Sequence, residues 1–347
     1  MTDTRPDLQL AVLIGRFQPF HNGHAALLRK ALASAPRAAI VLGSSFHARS
    51  AKNPFTADER AAMIGVTLSE EERGRVTFLP IRDYYDDQKW SAAVQLRVEA
   101  LAGEGAQIAL VGHFKDDSSY YLNHFPQWHL VAVARDDSAD ATALRRALFE
   151  TEDMAVTLEA IASEVPLAVR HYLKAWTLLP HHARLAEEHA AIAKYKAEWA
   201  RAPYPPIFST VDAVVETAGH VLLVQRGAAP GKGLWAIPGG YLEQRERVLA
   251  GAIRELQEET GLSLLTSTLE DALEDVRVFD HPDRSQRGRT ITHAHHFNLR
   301  LDHLPEVKGA DDAALAAWVP VAQLASLEDR LYDDHFHILA HFLRLPE

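Results

Sequence analysis

The 347-residue chain carries 47 acidic and 36 basic side chains, a net charge of −11, and no cysteine. The missing cysteine excludes disulfides, thiolate catalysis and cysteine-based zinc sites, and the acidic surface argues against a polyanionic nucleic-acid partner. With 47% hydrophobic and 24% charged residues, the chain has the composition of globular protein and the length for two or three cores. No stretch approaches the ~18 apolar residues of a membrane span, and the N-terminus lacks a basic segment followed by a long apolar one. The expected setting is cytoplasmic, with no membrane partner.

In chain order, residues 8–15 form an apolar run ending in glycine, which reads as a buried strand, and residues 24–35 carry apolar positions at helical spacing. A strand is expected at 38–44, then a helix opened by the Thr56/Glu59 capping-box pair. A strand at 75–81, a helix near 87–102, strands at 107–113 and 128–134 and a helix from about 140 complete the series. Such alternation implies a parallel sheet covered by helices on both faces, with ligands at the carboxyl ends of its strands. Residues 151–202 have helical periodicity and stop at Pro203, Pro205 and Pro206, which cannot continue a helix. The expected division is therefore a domain over 1–150, a helical extension and proline-rich linker over 151–206, and a second domain over 207–347. In the last, two strands flank a Thr-Ala-Gly turn, further strands are expected at 276–279 and 290–301, and a helix at 334–344.

Two segments carry chemistry. Residues 15–24 read GRFQPFHNGH, so His21 and His24 stand one turn apart where the first helix begins. A helix start offers unpaired N–H groups and a positive dipole end, an anion site, and Gly23 permits close backbone approach. Residues 240–262 read GYLEQRERVLAGAIRELQEETGL. They place Glu255, Glu258 and Glu259 on one helical face, where three carboxylates repel one another unless a cation neutralises them. Hard oxygen ligands favour Mg²⁺, with Mn²⁺ as the alternative. The 19 histidines are otherwise scattered, as in HAHH at 293–296, and zinc is assigned to none of them.

The second segment matches the Nudix box at Gly240, Glu246, Arg254, Glu255, Leu256, Glu258, Glu259, Gly261 and Leu262. The first resembles the H-x-G-H nucleotidyltransferases. Its longer context, with KNPFTADER (52–60), GHFKDDSSYYL (112–122) and TALRR (142–146), resembles the archaeal-like nicotinamide-mononucleotide (NMN) adenylyltransferases. Together they imply a Rossmann-like, doubly wound α/β domain joined by a helical linker to an α/β/α Nudix domain. The implied enzyme makes NAD and pyrophosphate from ATP and NMN, and cleaves ADP-ribose. The resemblance implies that His21 and His24 hold the triphosphate, that Arg16 and Arg145 neutralise the leaving pyrophosphate, and that Gly15, Phe17, Gly23, Lys52, Asn53, Arg60, Trp90, Gly112, His113, Lys115, Asp116 and Thr142 bind substrate. Trp90, in DYYDDQKW (83–90), is a stacking ring or a packing residue, and Asp140 departs from the family as an extra carboxylate beside the phosphates. In the Nudix part the implied metal ligands are Glu246, Glu255, Glu258 and Glu259, the last two also catalytic, with Arg254 paired inside the motif. Gly239, Gly240, Arg284, Arg287 and Arg289 are expected around the substrate, Arg245 to alter the loop, and Trp235 to pack beneath it. A transferase with another acceptor and a non-hydrolytic Nudix metabolite sensor are the alternatives. A homo-oligomer is compatible with either reading.

Overall fold

Which apolar runs pair, and in what order, decides where the two motifs are displayed. The computed structural model describes residues 7–112, 123–133 and 140–345. The chain divides into two compact units, Met1–Ala186 and Glu187–Glu347.

In the first unit the strands β1 (Leu10–Gly15), β2 (Arg37–Leu42), β3 (Val76–Pro80), β4 (Ile108–Gly112) and β5 (His129–Ala132) form one sheet in the order β3-β2-β1-β4-β5. All of its pairs are parallel. Parallel neighbours need crossovers, here supplied by α1 (Asn22–Ser34), α2 (Ala57–Gly65), α3 (Glu70–Gly74) and α4 (Asp87–Ala102). On one face Val94 and Val98 of α4 pack with Leu10, Val12, Val41 and Leu110. The chain leaves β1 toward β2 on one side and later returns as β4 on the other, so the strand order reverses at β1. A crevice opens at the carboxyl ends of strands at such a switch point. The Thr56 capping box forms, with Thr56 Oγ1 accepting from Glu59 N–H at 3.3 Å and Glu59 Oε2 from Thr56 N–H at 2.9 Å. A second box, Ser69 with Glu72, starts α3. The helices α5 (Ala141–Glu150), α6 (Met154–Ala160) and α7 (Leu167–Trp176) follow, and the boundary between units falls within α8 (Pro180–Trp199).

In the second unit β6 (Ile207–Thr217), β7 (His220–Arg226), β10 (Leu273–Phe279), β11 (Arg289–Asn298) and β12 (Ala313–Pro320) run in the order β10-β11-β6-β7-β12. The short strands β8 (Trp235–Ala236) and β9 (Gly239–Tyr241) pair with β7 and β6. Only the β11/β6 pair is parallel. The predicted Thr-Ala-Gly turn is a two-residue hairpin with Ala218 at φ 46° and Gly219 at φ 73°, the backbone such tight turns require. Helix α9 (Val248–Thr260) covers one sheet face through Ile253 and Leu256. Helix α11 (His335–Leu343) covers the other through Phe336, Ile338 and Leu339. Helix α10 (Thr266–Asp271) and a 3-10 stretch, Val321–Arg330, complete the unit. With both faces covered, the strand centres, Ala213–Val215 of β6 and Val221–Val224 of β7, are unbroken apolar runs. This is the expected α/β/α layering. Among the described residues no helix is long and apolar enough to cross a membrane.

Candidate active sites

In the first unit the segment after β1 crosses the carboxyl edge of the sheet and turns into α1. Gly15 lies at close approach, since a Cβ there would lie 3.0 Å from the Phe17 ring and push it aside. Phe17 itself holds φ 52° with its ring buried against the edge of His24, centroids 4.8 Å apart. His21 is the N-cap residue of α1 in extended backbone, and its side chain does not cap the helix. Its ring lies 3.7 Å from that of His24, nearly parallel. Both imidazoles are thus at the positive end of α1, at the switch point of the sheet. Gln18 fixes the crossing from behind, accepting from Phe55 N–H at 2.9 Å and donating to Phe55 O at 2.8 Å.

Arg145, from α5, reaches the same crossing. Its Nη1 donates to Gln18 O at 2.7 Å and its Nη2 to Thr142 Oγ1 at 3.2 Å. Burial, then the positive charge of Arg16, presses its pKa down to about 10, with Asp140 opposing. The exposed Arg16, Arg145, Thr142 and the imidazole pair are therefore gathered around one segment. The departure at Asp140 has a local explanation: it is the N-cap of α5, its Oδ1 accepting from Thr142 N–H at 2.9 Å.

Not every expected residue faces the crevice. Arg60 is 1% exposed, with Nη1 donating to Arg16 O at 2.7 Å and Gly43 O at 2.6 Å and Nη2 to Ser45 Oγ at 2.9 Å. It braces the loops after β1 and β2. Trp90 packs on the α4-side core, 6.2 Å from Phe125, which favours packing over stacking. Lys52 and Asn53 are half-buried in the loop before α2, where Asn53 N–H donates to Ser50 Oγ at 3.1 Å. Gly112 ends β4, buried; His113, Lys115 and Asp116 lie outside the described residues. Sequence reasoning passed over His47 and Ser44. Burial would raise the Asp83 carboxyl, but hydrogen bonds from His47 and Ser44 and the charge of Arg16 outweigh it and hold it at about 2. Ser44 and His47 lie on the loop after β2 and Asp83 on the loop after β3, so no local pattern joins them.

In the second unit a cleft of about 380 Å³ is lined by Glu255 and Glu259 of α9, Gly239 and Gly240, Asp212 and Thr210 of β6, Arg226, Arg284, Arg287 and Tyr241, among others. Gly239 has no room for a side chain, since a Cβ there would overlap the Val211 carbonyl, and a Cβ at Gly240 would displace the Glu255 carboxylate. Gly239 N–H donates to Glu259 Oε2 at 3.0 Å. Arg254 is the organiser of the acidic face: its Nε donates to Glu246 Oε1 at 2.8 Å and its Nη1 to Glu255 Oε1 at 2.9 Å and Glu258 Oε2 at 2.8 Å. The four glutamates thus separate. Glu255 and Glu259 line the cleft, whereas Glu246 and the half-exposed Glu258 hold Arg254 and are not among its lining residues. Burial, with the charges of Glu255 and Asp212, pushes the Glu259 carboxyl up to about 8 against the Gly239 hydrogen bond and Arg226. Burial also raises Glu255, with Glu258 and Asp311 adding to it against Arg254. A crowded, oxygen-only donor pair whose ionised form is disfavoured fits a hard divalent cation.

The three expected arginines part company here. Arg284 lines the cleft, is 5% exposed and makes a two-bond ion pair with Asp334 through Nε and Nη2, at 2.9 and 2.8 Å. Arg289 Nη1 donates to Asp280 O and does not line the cleft. Arg287 does line it, its guanidinium 5.3 Å from the Tyr241 ring centre. Trp235 packs with the α11-side core. Asp212 escaped the sequence reading: it sits in an apolar strand, accepts from Thr292 Oγ1 at 2.5 Å, and is raised to about 6 by burial against Arg284 and that hydrogen bond. Of the HAHH run, His296 meets Glu216 at 3.1 Å, and with Glu274 these offer ligand atoms within 4.8 Å of one another, away from the cleft lining. Asn298 and Arg300 hold the two carboxylates at 3.2 and 2.7 Å.

The chain matches the cytidylyltransferase-like family over residues 12–94 and the NUDIX domain over residues 206–342. It is 44% identical over 140 residues to the nicotinamide/nicotinic acid mononucleotide adenylyltransferase of Acinetobacter baylyi, covering 40% of this chain and 74% of that protein. It is 33% identical over 135 residues to the ADP-ribose pyrophosphatase of Methanocaldococcus jannaschii, covering 39% and 72%. A crystal structure of a bifunctional NMN adenylyltransferase/ADP ribose pyrophosphatase from Francisella tularensis, complexed with AMP and a manganese ion, superposes with a TM-score of 0.87 at 34% identity, covering 97% of this chain and 99% of that one. With both domains and nearly the whole length matched, the chain belongs to the family of bifunctional NMN adenylyltransferase/ADP-ribose pyrophosphatases.

Proposed function

We propose that the first unit transfers the adenylyl group of ATP to NMN, giving NAD and pyrophosphate, and that the second hydrolyses ADP-ribose to AMP and ribose 5-phosphate with Mg²⁺, Mn²⁺ serving in its place. The observation that carries the reading is the pairing, in one chain, of stacked imidazoles at a helix start with a crowded carboxylate pair beside a glycine loop.

In the first reaction a phosphate oxygen of NMN attacks the α-phosphorus of ATP in line, and the bond to the β-phosphate oxygen breaks. No covalent nucleophile is needed, only alignment and charge stabilisation. His21 and His24 donate to phosphate oxygens where charge grows, and Arg16 and Arg145 neutralise the departing pyrophosphate. Arg60 and Gln18 act at one remove by fixing the loop that carries these groups. In the second reaction water attacks one phosphorus of the diphosphate and the bridging P–O bond breaks. Glu255 and Glu259 would hold the cation, while Glu246 and Glu258 keep Arg254 aligned on Glu255. When bound, the cation lowers the pKa of water and screens the diphosphate. The test is product identification by chromatography after incubating the chain with ATP plus NMN, and separately with ADP-ribose and Mg²⁺. NAD with pyrophosphate and AMP with ribose 5-phosphate are expected; absence of either pair rejects that half.

The raised carboxyl of Glu259 has a consequence for stability. Between its unfolded value of 4.5 and its folded value of about 8, the folded state holds a proton that the unfolded state releases. Stability therefore falls as pH rises through that window. In metal-free protein the melting temperature of the second unit should be lower at about pH 8.5 than at about pH 5, and added Mg²⁺ should narrow the gap by favouring the ionised folded form. A Glu259→Gln chain should show less of both effects, measured by calorimetry with and without chelator.

A further inference from the structure

The start of α1 is anchored by a segment far from it in sequence. A helix leaves its first N–H groups without intrahelical partners, and the N-cap side chain usually takes one of them. The N-cap of α1 is His21, whose imidazole makes no capping bond and lies against that of His24 instead. The anchoring falls to Asn22, the residue that follows His21 in the H-x-G-H motif. Its N–H donates to Glu164 O at 2.8 Å and its Nδ2 to Ser163 O at 2.8 Å. Main chain and side chain of one residue are thus tied to a single turn 141 residues along the chain.

That turn is itself held firmly. It joins α6 to α7, and Ile161 O accepts from Glu164 N–H at 3.0 Å and from Val165 N–H at 3.1 Å. Ile161 and Val165 are buried. Arg170 of α7 reaches back to α6, its Nη1 donating to Glu159 Oε2 at 3.2 Å. At the far end of α7 the buried Trp176 lies 4.5 Å from the Phe55 ring, and its Nε1 donates to Glu59 Oε1 at 3.1 Å. Glu59 belongs to the capping box of α2, the helix that carries Arg60. The α6–α7 hairpin therefore grips the first unit at two points, the start of α1 and the start of α2. It lies outside both the 12–94 span that matches the cytidylyltransferase-like family and the 206–342 span that matches the NUDIX domain.

We propose that Asn22 is a positioning residue of the adenylyl transfer, and that the α6–α7 hairpin is the brace against which it holds His21 and His24. The proposal rests on the adenylyltransferase reading above. Gly23 follows Asn22 directly, and a glycine loosens a helix start. The two bonds of Asn22 offset that freedom, so the imidazoles keep their places at the phosphate site before substrate binds. Asn22→Ala tests this, because it keeps the main-chain bond and removes the amide bond to Ser163 O. In the full chain with ATP, NMN and Mg²⁺, the single-turnover rate of NAD formation should fall by about threefold to thirtyfold. KM for NMN should not change, because the imidazoles serve the triphosphate. Hydrogen exchange resolved by peptide reads the folding of the first unit directly. Exchange should quicken over the start of α1 and the 161–165 turn, and stay as slow as in the unsubstituted chain over β1, β2 and β4. A rate equal to that of the unsubstituted chain overturns the proposal. So does a lost rate with faster exchange across all three strands, which is what a role in stability alone would give. A lost rate with exchange unchanged over the turn overturns the role of the hairpin. An unsubstituted chain that makes no NAD from NMN overturns the adenylyltransferase reading itself, and the proposal with it.

Discussion

In a Glu259→Gln chain, ADP-ribose hydrolysis falls by roughly a hundredfold to ten-thousandfold, the several kcal/mol that a bound cation supplies, while NAD synthesis is unchanged. Glutamine keeps the size of the side chain and can still accept from Gly239 N–H, the bond that Glu259 Oε2 now receives at 3.0 Å. What it loses is the charge. Burial and the neighbouring Glu255 and Asp212 disfavour that charge in the metal-free cleft, so a cation restores it and the amide cannot replace it. Steady-state rates of both reactions on one preparation check this. Hydrolysis retained within a few-fold would remove Glu259 from the ligand set. The same change at Glu258 should cost less, because Glu258 is 48% exposed and contacts Arg254.

The mirror experiment is His24→Ala. Its imidazole stacks 3.7 Å from that of His21 and is edged by Phe17 at 4.8 Å, so its position at the start of α1 is fixed before substrate arrives. Preorganised donors at a growing negative charge contribute about a hundredfold to a thousandfold each. NAD formation should fall by that factor, mainly in kcat, with ADP-ribose hydrolysis intact. Loss of both activities would mean that the substitution unfolds the chain. Unchanged NAD formation would mean that the imidazole does not touch the transferred phosphate.

Much of this arrangement is readable from local pattern. The alternation of apolar runs with helical spacing anticipates the parallel sheet, and the box anticipates α9 because residues three and four apart must share a face. The helix start at His21 follows from the strand ending at Gly15. Other features depend on partners distant in sequence. β12, with its AALAAWV run, has the composition of a helix and becomes a strand by pairing with β7; tertiary pairing overrides so weak a propensity. Arg60 and Arg284 read in the sequence as substrate-binding residues, but their bonds to the carbonyls of Arg16 and Gly43 and to the carboxylate of Asp334 come from partners that no local pattern shows. Asp140 looks misplaced until it is seen capping α5. Asp212 gives no sign at all, since a single carboxylate in an apolar strand reads as a surface residue until Thr292 is brought beside it.

The most direct test is diffraction from crystals of the full chain grown with Mn²⁺ and a non-hydrolysable ATP analogue, with anomalous data to locate manganese. The account predicts a manganese peak at about 2.1 Å, the spacing hard divalent cations keep from oxygen, from Glu255 and Glu259, and a triphosphate within hydrogen-bond reach of His21, His24 and Arg145. Manganese at Glu216, Glu274 and His296 with none on α9, or a triphosphate bound away from the imidazole pair, would contradict it.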